Sequence, residues 1–301
     1  MIVRDPPSAL RLFFIMQGSV VPRIIGKMGF VLVLTLTVVL IDTLLTPLPR
    51  ISLAAMSVFG VALSLFLGFR NNAAYARWWE ARTLWGGLIA DTRTLARQLE
   101  LFGIPPSDRP ALLTMTAAFA HAHRGSLRRC DVQDDVAAWI GKDKALTLLA
   151  RANPADAALG HIAEQVAKLK RSGVVDGFAQ MALADTLSRL ALSQAGCERI
   201  RTTPLPFVYS LLVRRTTYLY SALLPFALLG SVEWFAPVFA VVVAYVFFGL
   251  QAVTNELEHP FDLRPNGLPL DAMCRVIERT LCDAMNQTTP PEAKPVDHIL
   301  T

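Results

Sequence analysis

The sequence predicts an all-α membrane protein with four transmembrane helices per chain and a helical cytosolic domain. Three observations predict it. Hydrophobic residues make up 53% of the 301 residues and charged residues only 18%, with a mean hydropathy of +0.42. Soluble domains carry about 25% charge, so this chain would expose too much apolar surface in water, and its apolar content excludes disorder. Long uncharged runs occur four times, at Met28–Ile41 (continuing past Asp42 to Leu45), Ile51–Phe69, Thr216–Val232 and Trp234–Asn255. Finally, the basic residues are confined to particular segments rather than spread evenly.

Residues 1–27 are expected to form an amphipathic cytosolic segment lying at the membrane surface. The apolar stretch Leu12–Met16 is too short for the core of a signal peptide, and no small-residue cleavage site follows it. Residues 28–69 hold transmembrane helices 1 and 2, with Pro47 and Pro49 in the turn between them. Ile51–Phe69 is 19 residues without a charge, which at about 1.5 Å per residue nearly spans a ~30 Å hydrocarbon core. Backbone groups in lipid must be satisfied internally, so helices paired as hairpins are the economical arrangement.

Residues 70–203 form a helical cytosolic domain. Asn71–Leu88 stays compatible with a helix, so the second membrane helix is expected to run on into the cytoplasm. Asn153-Pro154 reads as a helix start, with a capping side chain and a proline in the first turn. Ile162, Val166 and Leu169 follow at helical spacing, and Gly173 stops the helix. Phe178, Met181, Leu183, Leu187, Leu190 and Leu192 continue the period, and no alternating β pattern competes. Residues 204–255 hold transmembrane helices 3 and 4, with Glu233 and Trp234 at their turn. The tail, 256–301, carries a short helix near Leu270–Met285 and then becomes proline-rich and extended.

Of the 29 basic residues, four precede residue 28, eighteen lie between Arg70 and Arg201, two are Arg214 and Arg215, and four follow residue 255. Only Arg50 falls in an outside turn. The positive-inside rule therefore places both termini and the middle segment in the cytoplasm. The net charge of +5 is a topology signal. Within 70–203 the eighteen basic residues face thirteen acidic ones, and no basic–aromatic alternation offers a base-stacking platform, so nucleic acid is not an expected partner.

Motifs for covalent chemistry are missing. The sequence has no G-x-S-x-G, no H-E-x-x-H and no Gly-rich phosphate loop, so no catalytic residue, cofactor or metal is expected, and the chain does not read as an enzyme. The four cysteines form no C-x-x-C pair, which argues against a disulfide framework or zinc site. His121 and His123 point about 200° apart on a helix and read as two ordinary polar positions rather than converging ligands. Glu256, Glu258, His259 and Asp262 cluster after the last membrane helix. They could hold a cation; a charged helix end at the interface is the simpler account. Arg214 and Arg215 likewise read as a helix end, since an uncharged run starts just after them.

Met56–Asn72, MSVFGVALSLFLGFRNN, is the most informative stretch. Gly60, Ala62, Ser64 and Gly68 are small, while Val61, Leu65 and Phe69 are bulky and spaced by four, sharing one helix stripe. The stripe could serve helix–helix packing, since small residues let membrane helices approach closely. Packing is the simpler account of the spacing; the sharper one is a pore lining, where a ring of apolar side chains from several subunits forms a hydrophobic gate that closes by dewetting. Asn71 and Asn72 would then form a polar pore mouth just inside.

The run GVALSLFLGFRNNAAYARWWEARTLWG, Gly60–Gly86, resembles the second membrane helix of bestrophins, and more specifically of their bacterial homologues. GCERI (Gly196–Ile200), TPLPFVY (Thr203–Tyr209) with LLPFAL (Leu223–Leu228), and ELEHPFD (Glu256–Asp262) with LPLDAMC (Leu268–Cys274) agree in the same order. This resemblance implies a homopentamer in the bacterial inner (plasma) membrane around one axial pore, a protein that conducts small monovalent ions and whose partners are its own copies and the lipid bilayer. It implies a neck of three apolar rings, which by position fall on Val61, Leu65 and Phe69. It also implies a second, cytosolic constriction near Phe178, with Met181 as the competitor. Animal members carry a run of acidic residues after the Pro-Phe of the tail motif, forming a calcium clasp. Here Pro260-Phe261 is followed by Asp262, Leu263 and Arg264, too few carboxylates for the six to eight oxygens calcium takes. The resemblance lies on the bacterial side, whose members can prefer monovalent cations, and so points towards cations. An ion channel is thus the expected function. Its rivals are a secondary transporter, which would show inverted repeats and broken helices, and a membrane scaffold or sensor acting through its cytosolic domain.

Overall fold

The computed structural model describes residues 1–4, 8 and 15–301. Residues 5–7 and 9–14 of the segment 1–27 expected to lie on the membrane surface fall outside the described residues. Two compact units emerge. One comprises Asp5–Trp78 and Pro204–His259, the other Met1–Arg4, Trp79–Thr203 and Pro260–Thr301. Among the described residues the fold is helical throughout, the only extended pairing being isolated antiparallel bridges such as Ile2 with Ile299.

The first unit is apolar. Helix α1 (Val21–Leu44) starts with a proline in its first turn, seven residues ahead of the uncharged run, because a long charged side chain does not interrupt the backbone bonds and each one here finds a place: Arg23 pairs with Glu256, and the Lys27 ammonium lies 5.1 Å from the centre of the Phe248 ring. Helix α2 (Leu53–Leu101) is one continuous helix of 49 residues, about 74 Å long at 1.5 Å per residue. It continues well past Leu88. Helix α8 (Phe207–Leu228) and helix α9 (Ala236–Leu257) complete the unit, joined through a 3-10 turn at Glu233–Phe235. Its core is aliphatic and aromatic: Ile24, Val31, Leu63, Leu67, Tyr220 and Phe248 are among the buried side chains. Gly60 earns its place here, because an added Cβ would come 2.8 Å from the Tyr220 hydroxyl. The other small residues of that stretch do not pack in this way: Ala62 and Ser64 are exposed, and Gly68 has open space beside it.

Helix α8 corrects one expectation. It begins nine residues before the uncharged run, so Arg214 and Arg215 lie inside the helix and exposed, not at its end. Among the described residues, three helical segments are long and apolar enough to cross a membrane: α1, α2 and Glu233–Leu257. Helix α8, diluted by its arginine pair, is not among them.

The second unit is built from the continuation of α2 with α3 (Arg109–Arg128), α4 (Gln133–Ile140), α5 (Lys142–Leu149), α6 (Pro154–Arg171), α7 (Gly177–Thr202) and α10 (Leu270–Ala284). Local signals set several ends. The Asn153 side chain accepts a hydrogen bond from Asp156 N at 3.2 Å and caps α6, while Gly173 follows its end with φ +76°. Asp176 caps α7, accepting from Ala179 N at 2.7 Å. Helix α3 runs through the middle, buried almost without interruption from Thr116 to Gly125.

That burial corrects the expectation for the two histidines. Neither is an ordinary polar helix position. His121 Nε2 lies 2.8 Å from Glu278 Oε1 in a buried pair. Burial opposes the Glu278 charge, yet the bond to His121 and the neighbouring Arg275 hold its carboxyl below the usual range. His123 is enclosed between the rings of Trp85 and Phe119, at 5.6 and 6.0 Å between centroids. Burial lowers its pKa to about 4, against the opposing field of Glu198, so the imidazole is neutral. The two point to different neighbours, as their spacing requires. Nearby, Asp271 binds Arg128 at 2.6 Å and Arg124 at 3.0 Å. Burial pushes the Cys274 thiol up to about 12, so it stays protonated and packs as a small apolar group.

Candidate functional site

Val61, Leu65 and Phe69 form one stripe on α2, turned away from the core of their unit. They are 60%, 56% and 62% exposed. Leu63, Leu67, Arg70 and Ala74, on the other side of the helix, are buried. Two residues are about 200° of helix rotation, which is why Leu63 and Leu65 take opposite environments. A side chain that packs one helix on another within this chain would be covered. These three are not, so within the chain they serve no packing role.

Asn72 continues the stripe three residues on and is exposed. Asn71 does not. It is half-buried on a different face, and its Oδ1 has no hydrogen-bond partner. Only Asn72 of the expected pair therefore shares the direction of the apolar stripe. Phe178 and Met181 lie in the first turns of α7 and are 82% and 68% exposed, on the side opposite the buried Leu183 and Thr186. Both are open, so exposure does not choose between them.

The acidic cluster after α9 is not arranged for a cation. Glu256 and Glu258 are buried, and each takes an arginine. Glu256 pairs with Arg23 at the start of α1. Glu258 Oε2 accepts from Arg70 Nη2 at 3.1 Å. Asp262 binds Arg201 at 2.8 Å and Arg264 at 3.4 Å. These are neither free ligands nor a solvated helix end. Sequence reasoning missed Arg23, Arg70 and Arg77 as functional candidates. The only available signal was that opposite charges flank the apolar runs.

Several helices able to span a bilayer, one with an apolar stripe facing out from its own core, define a multi-pass helical membrane protein. The chain belongs to the bacterial/fungal bestrophin family, whose profile matches residues 1–283. It is 42% identical over 298 residues to a voltage-dependent anion channel-forming protein of Mesorhizobium japonicum, covering 99% of this chain and 96% of that one. It is 35% identical over 292 residues to the voltage-dependent anion channel-forming protein YneE of Escherichia coli K12, covering 97% and 96%. Its fold is similar to the crystal structure of a bacterial bestrophin homologue from Klebsiella pneumoniae, with a TM-score of 0.83 and 32% identity over 88% of this chain and 99% of that one.

Proposed function

We propose that the chain is one subunit of a homopentameric channel in the bacterial inner membrane, conducting small monovalent anions through an axial pore. Helices α1, α8 and α9 and the first part of α2 are its four membrane helices, and both termini lie in the cytoplasm. Val61, Leu65 and Phe69 form the neck, Asn72 its inner mouth, and Phe178 or Met181 a cytosolic constriction. The observation that carries this is the uncovered apolar stripe on a helix long enough to cross the membrane and continue beyond it. Five copies around an axis would cover that stripe while keeping a narrow conduit, and a narrow apolar ring controls ions by dewetting.

The choice of anions departs from the cations expected from the resemblance. An aliphatic neck prefers neither sign. The names of the two relatives above point to anions, and nothing comparable favours cations.

Assembly is directly testable. Crosslinking the detergent-purified protein should give a ladder that ends at five. A ladder ending at two or four removes the pore role from Val61, Leu65 and Phe69, because such assemblies place the stripe differently.

Calcium should not control opening. Glu256, Glu258 and Asp262 are each occupied by arginine, and calcium takes six to eight oxygens. Currents should be the same in chelator and in micromolar calcium. A roughly tenfold rise on adding calcium would show that ligands come from elsewhere in the chain.

A further inference from the structure

Arg70 is 1% exposed, one of the largest fully buried side chains in the protein, and it directly follows Phe69. A buried charge in a membrane-spanning unit is costly and marks a role beyond filling space. Its partner is Glu258, the residue that caps the C-terminus of α9. Glu258 is held twice: its carboxylate accepts from Arg70 Nη2 at 3.1 Å, and its carbonyl oxygen accepts from Arg77 Nε at 2.9 Å. Arg70 and Arg77 are seven residues apart on α2 and so share one face. Asn255 Oδ1 adds a longer contact to Arg70 Nη2, at 3.4 Å. The end of α9 is thereby clamped to α2 at the level of the innermost residue of the apolar stripe.

We propose that Arg70, through Glu258, is a positioning residue for the innermost ring of the neck, fixing the rotation of α2 that turns Phe69 towards the pore axis. This rests on Val61, Leu65 and Phe69 being the neck. Successive helix residues are about 100° apart, so holding the guanidinium on the buried side dictates where Phe69 points. An apolar pair of the same volume would hold the helices together at no desolvation cost. What an ion pair adds is register, because a charge has one place to go and a methyl group has many. The clamp leaves part of the guanidinium unused. Nε and Nη1 of Arg70 have no hydrogen-bond partner, and Glu258 touches only one corner of the guanidinium. A small shift of the α9 end would let the carboxylate take the bidentate edge that arginine presents.

The test compares purified channels by single-channel recording and by elution volume. Arg70→Met/Glu258→Gln removes both charges while keeping volume. It should elute like the parent yet shift open probability or conductance roughly tenfold, the size of an ordinary coupling between two elements. The shift should vanish when Phe69→Ala is already present, since the pair acts through that ring. Parental currents from an assembled double variant, or the same shift in the Phe69→Ala background, overturn the proposal. Should the double variant fail to assemble, Arg70→Lys decides: it keeps the charge but not the fork, and parental currents from it overturn the proposal equally. Leu65→Ala recorded alongside separates the two claims. Raised conductance there with no effect at Arg70 refutes the positioning role and leaves the neck standing. No effect at Leu65 refutes the neck itself.

Discussion

Leu65→Ala should raise single-channel conductance or open probability without disturbing assembly. An ion in a narrow apolar ring loses hydration and gains no ligand, and burying a bare charge is very costly. Shortening the side chain lets water remain, which lowers that barrier. A barrier lower by ~1.4 kcal/mol is a tenfold faster passage, so an increase of roughly that order is expected. Phe69→Ala should act in the same direction, and Val61→Ala least, because valine protrudes least. The cost to the protomer is small. Leu65 is exposed in its own chain, and surface truncations change stability by about 0.5 kcal/mol or less. If the stripe serves only to pack subunits together, the same substitution weakens the oligomer and lowers current. Recording beside size-exclusion elution separates these outcomes. Raised conductance at unchanged elution volume supports the neck; less current from a smaller assembly refutes it.

His123→Phe should remove most of the acid sensitivity of the helical unit. His123 is 0% exposed, both its ring nitrogens lack partners, and burial holds its pKa at about 4. The ordinary value is 6.5. As pH falls through 6.5 the unfolded chain binds a proton that the folded chain refuses. Stability is therefore full above pH 6.5 and declines until pH reaches about 4, where the folded state also protonates. At 1.36 kcal/mol per pKa unit the loss approaches ~3 kcal/mol. Phenylalanine forfeits no hydrogen bond and keeps the stack with Trp85 and Phe119. Melting temperature followed from pH 7 to pH 4.5 should fall steeply for the parent and little for the variant, the gap reaching about 10 °C at the acid end. The carboxyls of Asp271 and Glu278, held low by their partners, add a loss at still lower pH that the variant keeps. Parallel curves for both proteins contradict this account of His123.

Much of the fold was legible because lipid imposes simple rules. The uncharged runs located α1, α2 and α9, and Asn153-Pro154 located the start of α6, since a cap and a first-turn proline act locally. Helix α8 was misread at its start because Arg214 and Arg215 looked like an end. A long side chain can keep its charge in a polar layer while its backbone stays helical, so charge alone does not end a helix. The burial of α3 depends on helices packed around it from elsewhere in the chain. Its one sequence sign was alanine, glycine and threonine on every face of Thr116–Ser126, which permits close neighbours all round. The stripe at Val61, Leu65 and Phe69 was legible as a stripe from its spacing of four. That it lies uncovered was not, since coverage depends on partners. The clamp was beyond reach: Arg70 and Glu258 are 188 residues apart, and no periodicity links them.

Whether this chain forms an anion-conducting pore is tested most directly by the reversal potential in a planar bilayer under a potassium chloride gradient. Purified protein should give discrete channel currents that reverse close to the equilibrium potential of chloride. Currents reversing near the potassium potential would contradict the choice of ion, and well-assembled protein that gives no current would contradict the channel.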